Sequence, residues 1–65
     1  MGKFITVYDI GNDPVVINLD CVVYYYRDGA KENIFEVRMS YGVLYLPLAE
    51  MQKLAYALNA PMPWD

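Results

Sequence analysis

The stretch "VVINLDCVVYYYR", Val15 to Arg27, decides the fold of this chain. It is rich in β-branched and aromatic residues, which favour β-strands, but Asn18 and Asp20 interrupt it with side chains that can hydrogen-bond the backbone. The pattern predicts a strand over "VVINL" (Val15 to Leu19), a brief break, and a second strand over "CVVYYYR" (Cys21 to Arg27). Because side chains alternate across a strand, the three consecutive tyrosines must divide between the two faces of a sheet.

Turn signals on both sides of this stretch predict neighbouring strands. "KFITVY" (Lys3 to Tyr8) is β-branched and aromatic, and "DIGNDP" (Asp9 to Pro14) concentrates residues that favour turns. Downstream, "DGAKEN" (28–33) predicts a hairpin loop and "IFEVRMS" (34–40) a strand. "YG" (41–42) then predicts a two-residue turn and "VLYL" (43–46) a last strand.

A single helix is predicted from about Pro47 to Leu58, with Asn59 as its stop. Proline suits the first turn of a helix, where an N–H has no partner, and apolar residues recur at helical spacing: Leu48, Met51, Leu54, Ala55 and Leu58. The tail "APMPWD" (60–65) carries two prolines and is predicted to be extended. The sequence therefore predicts one α+β domain over residues 1–65, with a small antiparallel sheet of four to five strands (3–46). One C-terminal helix (47–59) follows and packs on one face.

Composition excludes several classes of function. The chain has 65 residues, 57% of them hydrophobic, with one cysteine and no histidine, so neither an internal disulfide nor a zinc site can form, and no metal or cofactor is expected. No apolar run approaches the roughly 20 residues that span a bilayer, which predicts a cytoplasmic protein with no membrane partner. The net charge of −3 argues against binding duplex nucleic acid or anionic lipid.

The hairpin loop predicts a register for the central strands, given by three pairs: Arg27 with Ile34, Tyr25 with Glu36, and Val23 with Arg38. That register puts an apolar set on the face under the helix: Val22, Tyr24, Tyr26, Phe35, Val37, Met39, Leu44 and Leu46. The middle tyrosine is then left on the opposite face of the sheet.

The uncovered face of the predicted sheet is the candidate interaction surface. It combines tyrosine, arginine and aliphatic residues, the composition of protein interfaces, in Tyr25, Arg38, Tyr45, Arg27 and Val23. Trp64 of the tail is a further candidate contact. We expect the chain to form a homo-oligomer or to bind another protein through this face, although exposed tyrosines are also ordinary on sheet surfaces.

No catalytic constellation is present, because the usual nucleophile and base pairs need histidine or a second cysteine. The sequence therefore predicts a protein that is not an enzyme. Sheet aromatics beside arginine keep open a single-stranded nucleic-acid binder, although five basic residues against eight acidic ones disfavour it. Shortness and acidity also suit a phage-encoded inhibitor of a host defence system.

The chain resembles the small FlbD-like (SwrD) flagellar and swarming-motility proteins of bacteria. The resemblance lies in the opening "FITV", in "VVINLDCVV", and in "YGVLYLPLAEMQKL", where a glycine turn and a strand precede a helix with an early glutamate. Asn18, Asp20, Gly42 and Glu50 are the corresponding residues. The resemblance implies the same layout of sheet followed by helix, and a role as a flagellar or motility accessory protein.

Overall fold

The computed structural model describes residues 3–28 and 33–62, which form an α+β domain. The elements in chain order are β1 (Phe4–Tyr8), β2 (Pro14–Asn18), a 3-10 turn (Leu19–Cys21), β3 (Val22–Arg27), β4 (Ile34–Met39), β5 (Gly42–Pro47) and α1 (Leu48–Leu58). No helix among these residues is both long and apolar enough to cross a bilayer.

The strands form two antiparallel sheets, so the expectation of a single sheet is wrong. β1 and β2 make a two-stranded sheet, and β3, β4 and β5 make a three-stranded sheet with β4 in the centre. The separation occurs at the break predicted within the opening stretch. There the Asp20 N–H donates to Asn18 Oδ1 at 3.0 Å and the chain makes a 3-10 turn before β3.

The core lies between the two sheets and α1. Each element contributes fully or nearly fully buried apolar side chains: Val7 and Ile17 from the two-stranded sheet, Phe35, Val37, Met39 and Leu46 from the three-stranded sheet, and Met51, Leu54 and Ala55 from the helix. Cys21 is half-buried and packs against this cluster as a free thiol. The buried faces of the two-stranded sheet and the helix thus cover one face of the three-stranded sheet.

The predicted register of β3 against β4 is wrong beyond its first pair. Val22 pairs with Met39, as that register requires, but Val23 has no partner and forms a β-bulge. Tyr24 then pairs with Arg38, and Tyr25 with Val37, which moves every later side chain of β3 to the other face.

The hairpin loop accounts for the shift. The Asp28 N–H donates to the Ile34 carbonyl at 2.9 Å, so Asp28 takes the place opposite Ile34 that was predicted for Arg27. The loop between the two strands is therefore one residue shorter than predicted. Asn33 adopts a positive φ of 62°, a conformation that asparagine tolerates better than most residues. A shorter loop shifts the pairing by one, and the bulge at Val23 restores the alignment at Val22.

The β4–β5 hairpin keeps the predicted faces with a different turn. Met39 pairs with Gly42, so Ser40 and Tyr41 form the two-residue turn in place of Tyr41 and Gly42. The register moves by two residues, which preserves the face, and Leu44 and Leu46 point to the core as predicted.

The helix begins one residue after its predicted start. Pro47 ends β5 and is the N-cap of α1, and Glu50 lies in the first turn, where its charge interacts favourably with the positive end of the helix. At the other end Asn59 adopts the left-handed conformation with φ of 56°, as a stop residue does. Of the predicted extended tail, residues 63–65 lie outside the described residues.

Candidate interaction face

The face of the three-stranded sheet turned away from the helix carries a set of aromatic and charged side chains. We call it the open face, formed by Tyr24, Tyr26, Glu36, Arg38, Val43 and Tyr45. The three tyrosines are 40–48% exposed, and their cross-strand neighbours on β4 are Arg38 and Glu36, which alternate with its buried residues. β4 supplies the charged row in the middle, and β3 and β5 supply the rings on each side.

The side chains of the open face contact one another. The rings of Tyr24 and Tyr26 are stacked with centroids 6.2 Å apart and an interplanar angle of 26°. The guanidinium carbon of Arg38 lies 6.0 Å from the centroid of the Tyr24 ring, within the range of a cation–π contact. These contacts orient the side chains relative to one another.

Glu36 is the most covered of the charged groups, with its side chain only 14% exposed between the cross-strand neighbours Tyr26 and Tyr45. Its Oε2 lies 3.8 Å from Nη2 of Arg38, which makes an ion pair too long for a good hydrogen bond. Hydrogen bonding to Glu36 raises the pKa of Tyr26. Hydrogen bonding to Tyr24 raises the pKa of Arg38. Both shifts favour the protonated form of the group.

The structure separates the residues predicted for this face. Arg38 and Tyr45 lie on the open face, but Tyr25 does not: it packs against the core, and its hydroxyl donates to the Pro61 carbonyl at 2.7 Å. Arg27 pairs with Phe35 and lies on the same side of β3 as Tyr25. Val23, at the bulge, is 61% exposed.

The sixth predicted contact, Trp64, lies outside the described residues. Tyr24 and Tyr26 are the open-face residues that sequence reasoning missed, since they were predicted to be core. The signal that could have found them is Asn33, whose tolerance of positive φ favours the earlier loop closure that turns both rings outward.

The open face presents only a few kinds of polar group. In the described part of the chain, no three acidic or cysteine side chains come together where a metal ion could be held. The polar atoms of the open face are phenol hydroxyls, one carboxylate and one guanidinium, which suit recognition by stacking and hydrogen bonding.

Comparison of the chain with protein-family models, with curated proteins and with solved structures gives no match. The resemblance to FlbD-like proteins therefore stays a prediction from the sequence pattern.

Proposed function

We propose that the chain is a non-enzymatic interaction protein that associates with itself through the open face. The observation that supports this most directly is the arrangement of three partly exposed tyrosine rings around an ion pair, on the sheet face that neither α1 nor the two-stranded sheet covers. Tyrosine rings have few rotatable bonds, so their burial in an interface adds contact area at low entropic cost.

The charged groups of the open face already contact one another, although Nε of Arg38 is buried without a hydrogen-bond partner in the described chain. Glu36 interacts with both Tyr26 and Arg38, and Arg38 also contacts Tyr24. An interface that covers these groups therefore does not strand an isolated charge, which would be costly.

Charge favours a second copy as the partner. The chain carries a net charge of −3, but its open face holds one carboxylate and one guanidinium and is neutral. In a two-fold symmetric dimer the same patch meets itself, so Glu36 of one copy can approach Arg38 of the other. The remaining surface carries the excess negative charge, which disfavours association elsewhere.

The test compares two tyrosine substitutions of identical chemistry. Tyr26→Lys places a long cation on the open face, beside Glu36, where an ion pair keeps the monomer folded. Tyr56→Lys is the matched control, because Tyr56 is 89% exposed on α1, away from the open face. We would measure solution mass by light scattering over a wide dilution series, with circular dichroism to verify folding.

We expect the native chain to form a dimer or larger oligomer. Tyr26→Lys should raise the dissociation constant of that oligomer at least tenfold, and Tyr56→Lys should leave it unchanged. A native chain that is monomeric at every concentration would overturn self-association. Equal effects of both substitutions would overturn the placement of the interface on the open face.

A second candidate rests on the stacked pair of Tyr24 and Tyr26, since such rings beside an arginine can stack on unpaired bases. Glu36 opposes it by placing a carboxylate where phosphates would approach. A labelled oligothymidine distinguishes the two: binding that weakens as salt rises and is lost in Tyr26→Ala supports the nucleic-acid role. The phage-inhibitor and flagellar alternatives would instead place a foreign protein on the open face.

A further inference from the structure

An apolar cleft separates the two sheets, and we call it the edge cleft. It lies between the edge strands β2 and β5, has a volume of about 260 Å³, and is lined by Val15, Ile17, Met39, Tyr41, Val43 and Leu44, with Gly42 at its side. A methyl group added to Gly42 would meet no atom within 4 Å, so there is open space beside this residue.

On β5, the unpaired backbone groups point into the edge cleft. The Ile10 N–H donates to the Tyr45 carbonyl at 3.1 Å, which shows that the backbone of Tyr45 faces away from β4. Backbone direction alternates along an antiparallel strand, so the N–H and C=O of Val43 face the same way. No other residue of the described chain hydrogen-bonds these Val43 groups.

β2 presents a matching edge. The Leu19 N–H donates to the Lys3 carbonyl at 2.9 Å, so the odd-numbered residues of β2 bond to β1, and the N–H and C=O of Val16 face away from it. Within residues 3–28 and 33–62 these Val16 groups also have no hydrogen-bond partner. Val15 and Ile17, which flank Val16 in β2, line the edge cleft, so the unpaired groups of Val16 lie next to a strand segment that borders it.

The edge of β1, by contrast, is covered. The Tyr8 N–H donates to Glu50 Oε1 at 3.0 Å, and Lys53 Nζ donates to the Thr6 carbonyl at 3.3 Å, so side chains of α1 satisfy two of the outward backbone groups of β1. Covering an edge in this way is how proteins prevent unwanted strand pairing. By contrast, the outward backbone groups of Val16 and Val43 have no such cover in the described part of the chain and can pair with an added strand.

We propose that the edge cleft binds an extended segment of a partner protein, which adds as a strand to the edge of β5 at Val43 and to that of β2 at Val16. Strand addition takes affinity from main-chain hydrogen bonds and specificity from alternate side chains that enter pockets. The segment must be free of proline, with apolar residues at alternate positions facing the cleft.

The geometry selects a linear segment over a folded second copy. A strand that is already paired in a sheet has at most one free edge, whereas this occupant needs both. The chain's own tail is also unsuitable, because Pro61 and Pro63 lack the N–H that strand pairing needs. The bond from Tyr25 to Pro61 also holds Pro61 beside β3, the opposite edge of the three-stranded sheet.

Charge defines one end of the segment. The loop joining β1 to β2 contacts the edge of β5 where Ile10 bonds to Tyr45, two residues from Val43, and this loop carries Asp9 and Asp13. Asp9 Oδ1 accepts from the backbone N–H groups of Gly11 and Asp13, which fixes this acidic loop in place. We therefore expect a lysine or arginine at the end of the segment that meets this loop.

The test uses four synthetic seven-residue peptides that carry lysine at one end, threonine at alternate positions, and Val, Ile, Leu or Phe between the threonines. Amide hydrogen exchange is measured on the native chain with and without each peptide. We expect the Val16 and Val43 amides to exchange quickly in the free chain, and at least tenfold more slowly with the best peptide. A peptide N-methylated at the pairing amides should not slow them.

The matched variant is Val43→Pro, which removes the outward N–H but no hydrogen bond to β4, and should weaken peptide binding at least tenfold. Tyr26→Lys, on the open face, should leave peptide binding unchanged, which separates this site from self-association. Three results would overturn the proposal: none of the four peptides binds, the N-methylated peptide binds equally well, or the two amides are already protected in the free chain. In Tyr26→Lys, where association through the open face is lost, protection that still rises with protein concentration would assign the cleft to a second copy and likewise overturn the proposal.

Discussion

Deletion of Val23 should leave the fold intact, although loss of one residue from the middle of a strand ordinarily turns every later side chain to the wrong face. Val23 has no cross-strand partner, while Val22 pairs with Met39 and Tyr24 with Arg38. Removing Val23 joins these two pairs directly and restores a regular ladder. Tyr24 stays on the open face, and Tyr25 stays against the core.

The expected cost follows from how little Val23 buries. Full burial of a valine side chain stabilises by about 1.5 to 3 kcal/mol. Val23 is 61% exposed, so its removal forfeits under half of that, about 1 kcal/mol. Straightening the bulge changes the local twist of β3, which adds a comparable term at most.

Deletion of Glu36 is the control, since this residue is paired on both sides, with Tyr26 and with Tyr45. Its loss must turn either Phe35 or Val37 outward, and both are fully buried. At about 1.5 to 3 kcal/mol for each fully buried side chain, together with the broken ladder, the Glu36 deletion should unfold a domain of this size.

The assay is urea denaturation followed by circular dichroism, with the tyrosine environment recorded in the near ultraviolet. A Val23 deletion that lowers the free energy of unfolding by about 3 kcal/mol or more, or that unfolds the chain, would refute the bulge. Val23 would then be a paired strand residue, and the assignment of Tyr24 and Tyr26 to the open face would fail with it.

Three further predictions concern stability. Tyr25→Phe should cost about 0.5 to 1 kcal/mol in urea denaturation, because it removes only the hydrogen bond to the tail carbonyl; a neutral result would show that this bond contributes nothing. The Tyr8 N–H and then Lys53 lower the pKa of Glu50 below its usual 4.5, so the carboxylate stabilises the fold above that pH, and the contribution is lost as pH falls through the lower folded value. Glu50→Gln should therefore flatten the acid limb of the stability profile, and an unchanged limb would contradict this linkage. Leu54→Ala, at a fully buried position, should cost about 3 kcal/mol or more through the cavity that it leaves, and a thermal midpoint within 2–3 °C of the native value would contradict its place in the core.

The strands and the helix could be predicted from the sequence because each depends on local patterns. The helix appears within one residue of its predicted start, since its apolar spacing and the asparagine at its end act over a few residues. The faces of β5 were predicted correctly even though its turn was not, because a shift of two residues preserves the face. Because side chains alternate with a period of two, a register error of two residues leaves each side chain on its predicted face, whereas an error of one residue moves it to the other face.

The composition of the open face depended on the register of β3, which differs from the predicted register by one residue. Arg38 and Tyr45 could be placed on the uncovered face from alternation alone, since both lie on strands without a bulge. Tyr24 and Tyr26 could not be placed in this way. The predicted and the observed register both put apolar or aromatic side chains on each face of β3, so the pattern does not distinguish them. A run of three tyrosines carries no internal signal for which of them is buried, so the loop length and the bulge decide it.

The separation into two sheets has a different cause, and it connects the fold to the edge cleft. The sequence predicts a break at Asn18 and Asp20, and the break forms through a hydrogen bond between these two residues, from the Asp20 N–H to Asn18 Oδ1 at 3.0 Å. It therefore depends only on residues close together in the sequence. Which strands pair afterwards is a tertiary question: β1 and β2 bond to each other, and β3 turns to β4. β2 and β5 are consequently both edge strands, joined at one end by Ile10 and Tyr45 and apart at the other. The polar break in the stretch that decides the fold thus also leaves an opening between the sheets where an extended segment can enter.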